Sequence, residues 1–182
     1  MRGRVVGDAD RTVLLVHGWE SRGAHLLEFL LQLRRAGFRV VTFDAPAHGD
    51  SEGEQTHVGE IGQALLMLPP IVGRIDAVIT HSAGSPAALY AISRGLRVDA
   101  SVHIAGPFSF ERVLQRHAAL CGLDADGFGI FRALMHQDLG FDPDLLEEEA
   151  VSRHLTHPGL LIHDKDDKEV PFDESLRLHG KW

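Results

Sequence analysis

Four apolar, β-branched runs recur early in the chain: TVLLVH (12–17), FRVVTFD (38–44), IDAVITH (75–81) and DASVHIAG (99–106). A fifth, GLLIHD (159–164), comes far downstream. None alternates cleanly between apolar and polar residues, so each reads as a strand covered on both faces. Segments of helical period separate the first four. In GAHLLEFLLQLRRAG (23–37), Leu26, Leu27, Leu30, Leu31 and Leu33 form one broad face and Gly37 stops the helix. VGEIGQALLMLP (58–69) and SPAALYAISRG (85–95) repeat the pattern. Strands alternating with helices through short turns specify an α/β fold, a mostly parallel sheet of about five strands with helices on both faces, joined by right-handed crossovers.

The rhythm breaks between residues 107 and 156. FSFERVLQRHAALCG, DGFGIFRALMHQDLG and DPDLLEEEAVSRHL read as three short helices with no strand among them. They are expected to form a small helical lid, an insertion (107–156) in a single domain spanning 1–182, a length that one core can serve. The acidic EEEA (147–150) reads as a solvated helix face.

Charge narrows the function classes. Lys and Arg total 18 against 26 Asp and Glu, a formal charge of −8, and no basic cluster stands out. Nucleic acids and anionic membranes, which need a basic footprint, are therefore not expected partners. No stretch approaches the roughly 20 apolar residues of a spanning helix, and no signal peptide is recognisable at the N-terminus. Cys121 is the only cysteine, so no intrachain disulfide can form and a reducing, cytoplasmic setting is expected. The histidines show neither H-x-x-x-H nor H-E-x-x-H spacing. No metal or other cofactor is expected.

The stretch AVITHSAGSPAALYA (77–91) sets a strand against a helix with no spacer and Ser82 at the junction. Such an abrupt turn strains its apex residue and needs small neighbours, which Ala83, Gly84 and Ser85 supply. In an open parallel sheet, ligands bind beyond the carboxyl ends of the strands, where this serine lies. An N-cap serine would also suit a helix start. Three other stretches favour a nucleophile. VHGWES (16–21) ends a strand with Gly18, which permits close backbone approach, and Trp19, whose amide can pair with that of Ala83 as an oxyanion hole. FDAPAHGDSEG (43–53) is a punctuated loop after the next strand, and LLIHDKDDKEVPF (160–172) delivers carboxylates to the same edge.

In this order these motifs resemble the α/β-hydrolase fold family over nearly the whole chain: His-Gly after a strand, the loop from Asp44 to Ser51 in place of D-x-x-G-x-G-x-S, the serine elbow, and Asp-x-x-Val-Pro at 167–171. The resemblance implies that Ser82 is the nucleophile and Asp167 the acid that orients a histidine, in preference to Asp164 or Asp166. One departure lies at the elbow, where Thr80 replaces the first glycine of G-x-S-x-G.

The family's chain order places the histidine after the acid. Only His179 follows Asp167. If the segment from Asp173 is helical, His179 lies about 9 Å along it, away from the site. The chain is therefore expected to be shortened at its C-terminus relative to the family, and to lack the leading β-hairpin because its first strand already carries His-Gly. His179 remains the weak candidate for the base, with His48 behind it. His81 is expected to pack within the elbow and His17 to anchor the loop before the oxyanion donor.

The expected activity is hydrolysis of a carboxylic ester or thioester of a small, partly apolar substrate, with Phe108, Phe110, Phe128, Phe131, Leu134 and Met135 of the lid packing it or lining an acyl pocket. Ser82 disfavours dehalogenase chemistry, which needs a carboxylate there. A non-catalytic relative that binds a small ligand is the alternative. Cys121 as nucleophile competes poorly with a buried structural cysteine. An open edge beside 159–163 would favour homo-oligomers.

Overall fold

A computed structural model describes residues 1–138 and 141–182; the last two positions of DGFGIFRALMHQDLG lie outside the described residues. The five expected strands form a parallel array: β2 (Thr12–Val16), β3 (Arg39–Asp44), β4 (Ala77–His81), β5 (Ala100–Ile104) and β6 (Gly159–Ile162). A sixth strand, β1 (Arg2–Val6), precedes them and runs antiparallel to β3, giving the order β1-β3-β2-β4-β5-β6. The run bearing His-Gly is thus the second strand. β1 escaped the sequence pattern because an edge strand has no need of a continuous apolar run, and Arg2 and Arg4 charge one of its faces.

Both faces of the sheet are covered at its centre, whereas β1 and β6 at its edges are largely exposed. All five residues of β2 are buried because its side chains feed two cores in alternation. On one face Leu14, Val16, Val41 and Phe43 pack with Ile61 and Leu65 of α2 (Val58–Leu66) and the alanines of α4 (Gly84–Ser93). Gly62 lets α2 close on α4, since a Cβ there would lie 2.5 Å from the Tyr90 ring and 2.9 Å from the Ala87 carbonyl. On the other face Val13, Leu15 and Val40 meet Leu26, Leu30 and Leu33 from a 3-10 turn (Gly23–Leu26) and α1 (Leu27–Arg35). Gly37 terminates that segment at φ 82°. The run 58–69 breaks earlier than its period suggests, and Pro69 opens a separate turn, α3 (Pro69–Val72).

Residues 107–156 hold α5 (Phe110–Leu120), α6 (Ala125–Asp138), a 3-10 turn (Pro143–Leu146) and α7 (Glu148–Ser152). Their attachment is a second apolar cluster in which Phe108, Val151 and Leu155 meet Leu89 and Leu178, the latter on α8 (Asp173–Lys181). Polar contacts reinforce it. Buried Glu174 accepts the Phe108 and Ser109 amides at 2.9 and 3.1 Å and pairs with Arg112. The acidic run is not simply a solvated face: Glu147 accepts from the Ser109 hydroxyl and the Glu111 amide, Glu148 pairs with Arg177, and Glu149 with Lys181. Cys121 is exposed rather than buried, because it caps α5 beyond the helix's buried Leu114 and Ala118. β6 is the outer strand of the sheet, with Leu160 and Ile162 exposed. Among the described residues no helix is long and apolar enough to cross a membrane.

Leu14 is fully buried at the centre of the sheet. Leu14→Ala is expected to cost about 2–5 kcal/mol in urea unfolding, the range for a buried leucine whose cavity cannot collapse.

Candidate active site

Ser82 follows β4 directly and adopts φ 49°, a left-handed conformation that costs a non-glycine residue roughly 1 kcal/mol or more. The neighbouring loops hold it there by leaving no room to relax. A Cβ at Gly18 would lie 2.9 Å from Ser82 Cβ, and one at Gly84 would lie 2.8 Å from the carbonyls of Val16 and His17. A Cβ at Gly106 would collide with Ser85. The turns after β2, β4 and β5 therefore interlock at glycines. Ser82 donates its amide to Ile104 at 2.9 Å, and its own carbonyl accepts from Ser85.

Thr80 occupies the position of the family's first glycine without crowding the turn. Its hydroxyl lies 2.7 Å from Ser85 Oγ, 3.1 Å from His103 Nδ1 and 3.2 Å from the Val102 carbonyl. His103 continues through Ser101 to His157, and Trp182 packs edge-on to both imidazoles. Burial, and then the neighbouring His157, push the His103 pKa down to about 3.

Ala83 follows Ser82 directly, and Trp19 follows Gly18, which packs against Ser82. Among the described residues neither Trp19 nor Ala83 donates its backbone N–H to a protein acceptor. Ala83 is the N-cap of α4, where unpaired amides and the helix dipole favour negative charge. The Trp19 loop is fixed by two histidines. His17 Nδ1 donates to the Gly18 carbonyl at 2.8 Å while Nε2 accepts the Ala45 amide at 2.9 Å, as expected of an anchor for this loop. Burial holds the His17 pKa below its usual value and keeps it neutral. His48 accepts the Glu20 amide at 3.2 Å through Nε2 and bonds the Pro46 carbonyl at 2.9 Å through Nδ1. Both its nitrogens are thus committed to backbone, and its ring is packed edge-on against Trp19.

Asp44 organises the loop that follows β3. Its carboxylate accepts the Gly23 and Asp50 amides, each at 2.8 Å, and its carbonyl accepts from Ser51 Oγ at 2.6 Å. Burial raises the Asp44 pKa, but the two amides and Arg22 outweigh it and keep the carboxyl below its usual value. Ala47 stands where the motif has glycine and takes φ 57°, so the left-handed turn persists without one.

At the far edge, the Asp167 carboxylate accepts the Glu169 and Val170 amides at 2.8 and 2.9 Å through Oδ1. Oδ2 lies 3.6 Å from His163 Nε2. His163 was not distinguishable in the sequence, where it sits within an apolar run. Its side chain is almost wholly buried, bonding Ser175 Oγ at 2.6 Å and the Val170 carbonyl at 2.8 Å, and so clamps this loop to α8. Asp164 instead accepts the Asp166 amide, and both are exposed.

The strand register brings these loops to one edge: His81, Ile104 and Ile162 are successive partners across β4, β5 and β6, and Ser82 lies one residue beyond. The elbow itself is more open than expected. His81 is exposed, not packed within the turn, because alternation along β4 turns it outward from buried Thr80. His179 is exposed near the end of α8. Among the described residues, Ser82 Oγ has no hydrogen-bond partner and no histidine bridges it to Asp167. Phe108 packs in the second cluster, whereas Leu134 is exposed; Phe110, Phe128, Phe131 and Met135 are half-buried. No three His, Cys, Asp or Glu side chains among the described residues converge as metal ligands.

Gly84→Val is expected to destabilise the protein by about 1–3 kcal/mol in urea unfolding, because its Cβ meets backbone carbonyls that cannot swing away. The pH dependence has a definite sign. The lowered His103 and His17 pKa values mean that the unfolded chain binds more protons than the fold below pH 6.5. The contribution of these two histidines to stability is therefore full above that pH and falls as pH drops towards about 3, by up to about 1.4 kcal/mol per unit for His103. Urea unfolding of the parent and His103→Asn across this window should show a shallower dependence in the variant.

A family model described as the alpha/beta hydrolase family matches residues 13–181. Among curated proteins, the chain is 29% identical over 181 residues to the lysophosphatidylserine lipase ABHD12 of Danio rerio, covering 92% of this chain and 46% of that protein. It is 29% identical over 182 residues to protein ABHD12B of Homo sapiens, covering 94% of this chain and 50% of the relative. The chain thus spans about half the length of these relatives. Among solved structures, alpha/beta hydrolase domain-containing protein 10 from mouse superposes with a TM-score of 0.74 at 19% identity, covering 98% of this chain and 78% of that one. A monoacylglycerol lipase of Paleococcus ferrophilus gives a TM-score of 0.74 at 20% identity, with 98% and 83% covered.

Proposed function

This chain belongs to the alpha/beta hydrolase family, and from that premise we propose that it cleaves a carboxylic ester or thioester of a small, partly apolar molecule through an acyl-enzyme on Ser82. The carrying observation is the serine held at φ 49° between a strand and a helix, with the Trp19 and Ala83 amides free of protein acceptors. The similarity to a lysophosphatidylserine lipase supports an ester substrate.

In this reading Ser82 Oγ attacks the carbonyl carbon and its proton passes to an imidazole base. The C=O electron pair moves onto oxygen, where the two amides stabilise it in place of water. Collapse breaks the bond to the alkoxide or thiolate, which takes the proton from the imidazolium. Water then attacks the acyl-enzyme by the same route, releasing the acid and restoring Ser82. Asp167, its Oδ1 fixed by two amides, orients the base. His179 is the histidine that follows Asp167 in the family's chain order. Residues 107–156 act as a lid on the acyl pocket.

A second reading, binding of a small ligand without turnover, is favoured by one observation: Ser82 Oγ lacks a histidine partner among the described residues. Steady-state hydrolysis of p-nitrophenyl butyrate separates the two. Under the hydrolase reading, Ser82→Ala loses at least about 1,000-fold in kcat/KM and Asp167→Asn falls substantially as well. Turnover that survives Ser82→Ala rejects the acyl-enzyme; absence of turnover in the parent, with butyrate bound equally by both proteins, selects the binding reading.

A further inference from the structure

A separate cleft of about 700 Å³ lies where β1 faces α1 and the loop after β2, lined among others by Arg2, Arg4, Arg22, Thr42, Asp44 and Asp50. The antiparallel register sets Arg2 opposite Asp44 and Arg4 opposite Thr42, so these four share the face turned towards α1. Val6, Leu27 and Leu30 add an apolar border.

The hydrogen-bonding of this cleft is incomplete in one sense only. Thr42 is 7% exposed, and its hydroxyl has no partner among the described residues; the same holds for buried Arg22 Nε. The Arg2 and Arg4 guanidinium groups make no ion pair among the described residues. All of these groups can donate, and each lacks an acceptor. The carboxylates present are already committed. Asp44 accepts two amides and lies 3.5 Å from Arg22 Nη2, and Asp50 pairs with that same Nη2 at 2.8 Å. Three guanidinium groups face two carboxylates, which leaves one positive charge in excess.

We propose that this cleft binds a monocarboxylate carrying a short apolar chain, with the carboxylate between Arg2 and Arg4 and the chain along Leu27 and Leu30. A single negative charge neutralises the excess, whereas a phosphate dianion would overshoot it. The inference is independent of the Ser82 chemistry.

Octanoate is the probe, titrated into the full chain carrying Ser82→Ala and followed by calorimetry and methyl NMR. Octanoate should shift the Leu27 and Leu30 methyl resonances, bind about ten-fold or more tighter than octanol, and bind tighter than octyl phosphate. The exposed pair Arg2→Gln/Arg4→Gln should weaken it by about ten-fold or more without altering the unfolding midpoint greatly. Equal binding of octanol or of octyl phosphate, unchanged affinity in the double variant, or shifts confined to methyls outside the cleft would each overturn the assignment.

Discussion

Three backbone turns meet around Ser82 at distances that exclude a Cβ, and the rest of the site depends on that interlock. Gly18 comes from the loop after β2, Gly84 from the first turn of α4 and Gly106 from the loop after β5. Each is glycine because of what it touches. The parallel register brings the three strand ends level, so the turns cannot separate without breaking the ladder. Strain at one residue is thereby offset by packing elsewhere, and the serine is left at the carboxyl edge of the sheet.

Around this centre the protein fixes loops chiefly with polar side chains bonded to the main chain, to which the Arg22–Asp50 ion pair is added. His17, His48 and His163 spend their ring nitrogens on the backbone and on hydroxyls. Asp44 and Asp167 spend theirs on main-chain amides. Such bonds are short-ranged and insensitive to salt, which suits loops that must hold a geometry to fractions of an ångström. The Thr80–Ser85–His103 network does the same from beneath the elbow, where a lone buried hydroxyl would have been costly.

The strands buried on both faces and the helix period between them were legible because burial leaves its pattern in every residue of β2 and in all of β3 after Arg39. The glycines of the elbow were legible for the same reason, as close approach admits no other residue. β1 was not, since Arg2 and Arg4 on an edge strand carry no apolar signature. The outward turn of His81 depends on strand alternation next to a strained residue, and the exposure of Cys121 on where α5 stops. Glu147, Glu148 and Glu149 looked like a solvated face because their partners lie far away in sequence, on α5 and α8. His163 gave no signal at all: its meaning comes from Ser175 and Val170, which only the fold brings to it.

The central claim is that Ser82 is a nucleophile rather than a helix cap. Intact-mass labelling by a fluorophosphonate, followed by mapping of the modified peptide, addresses it without knowledge of the substrate. One adduct per chain on Ser82, formed in the folded protein and lost on denaturation before labelling, is the expected result. Folded protein that stays unmodified, or an adduct mapped to another residue, would contradict it.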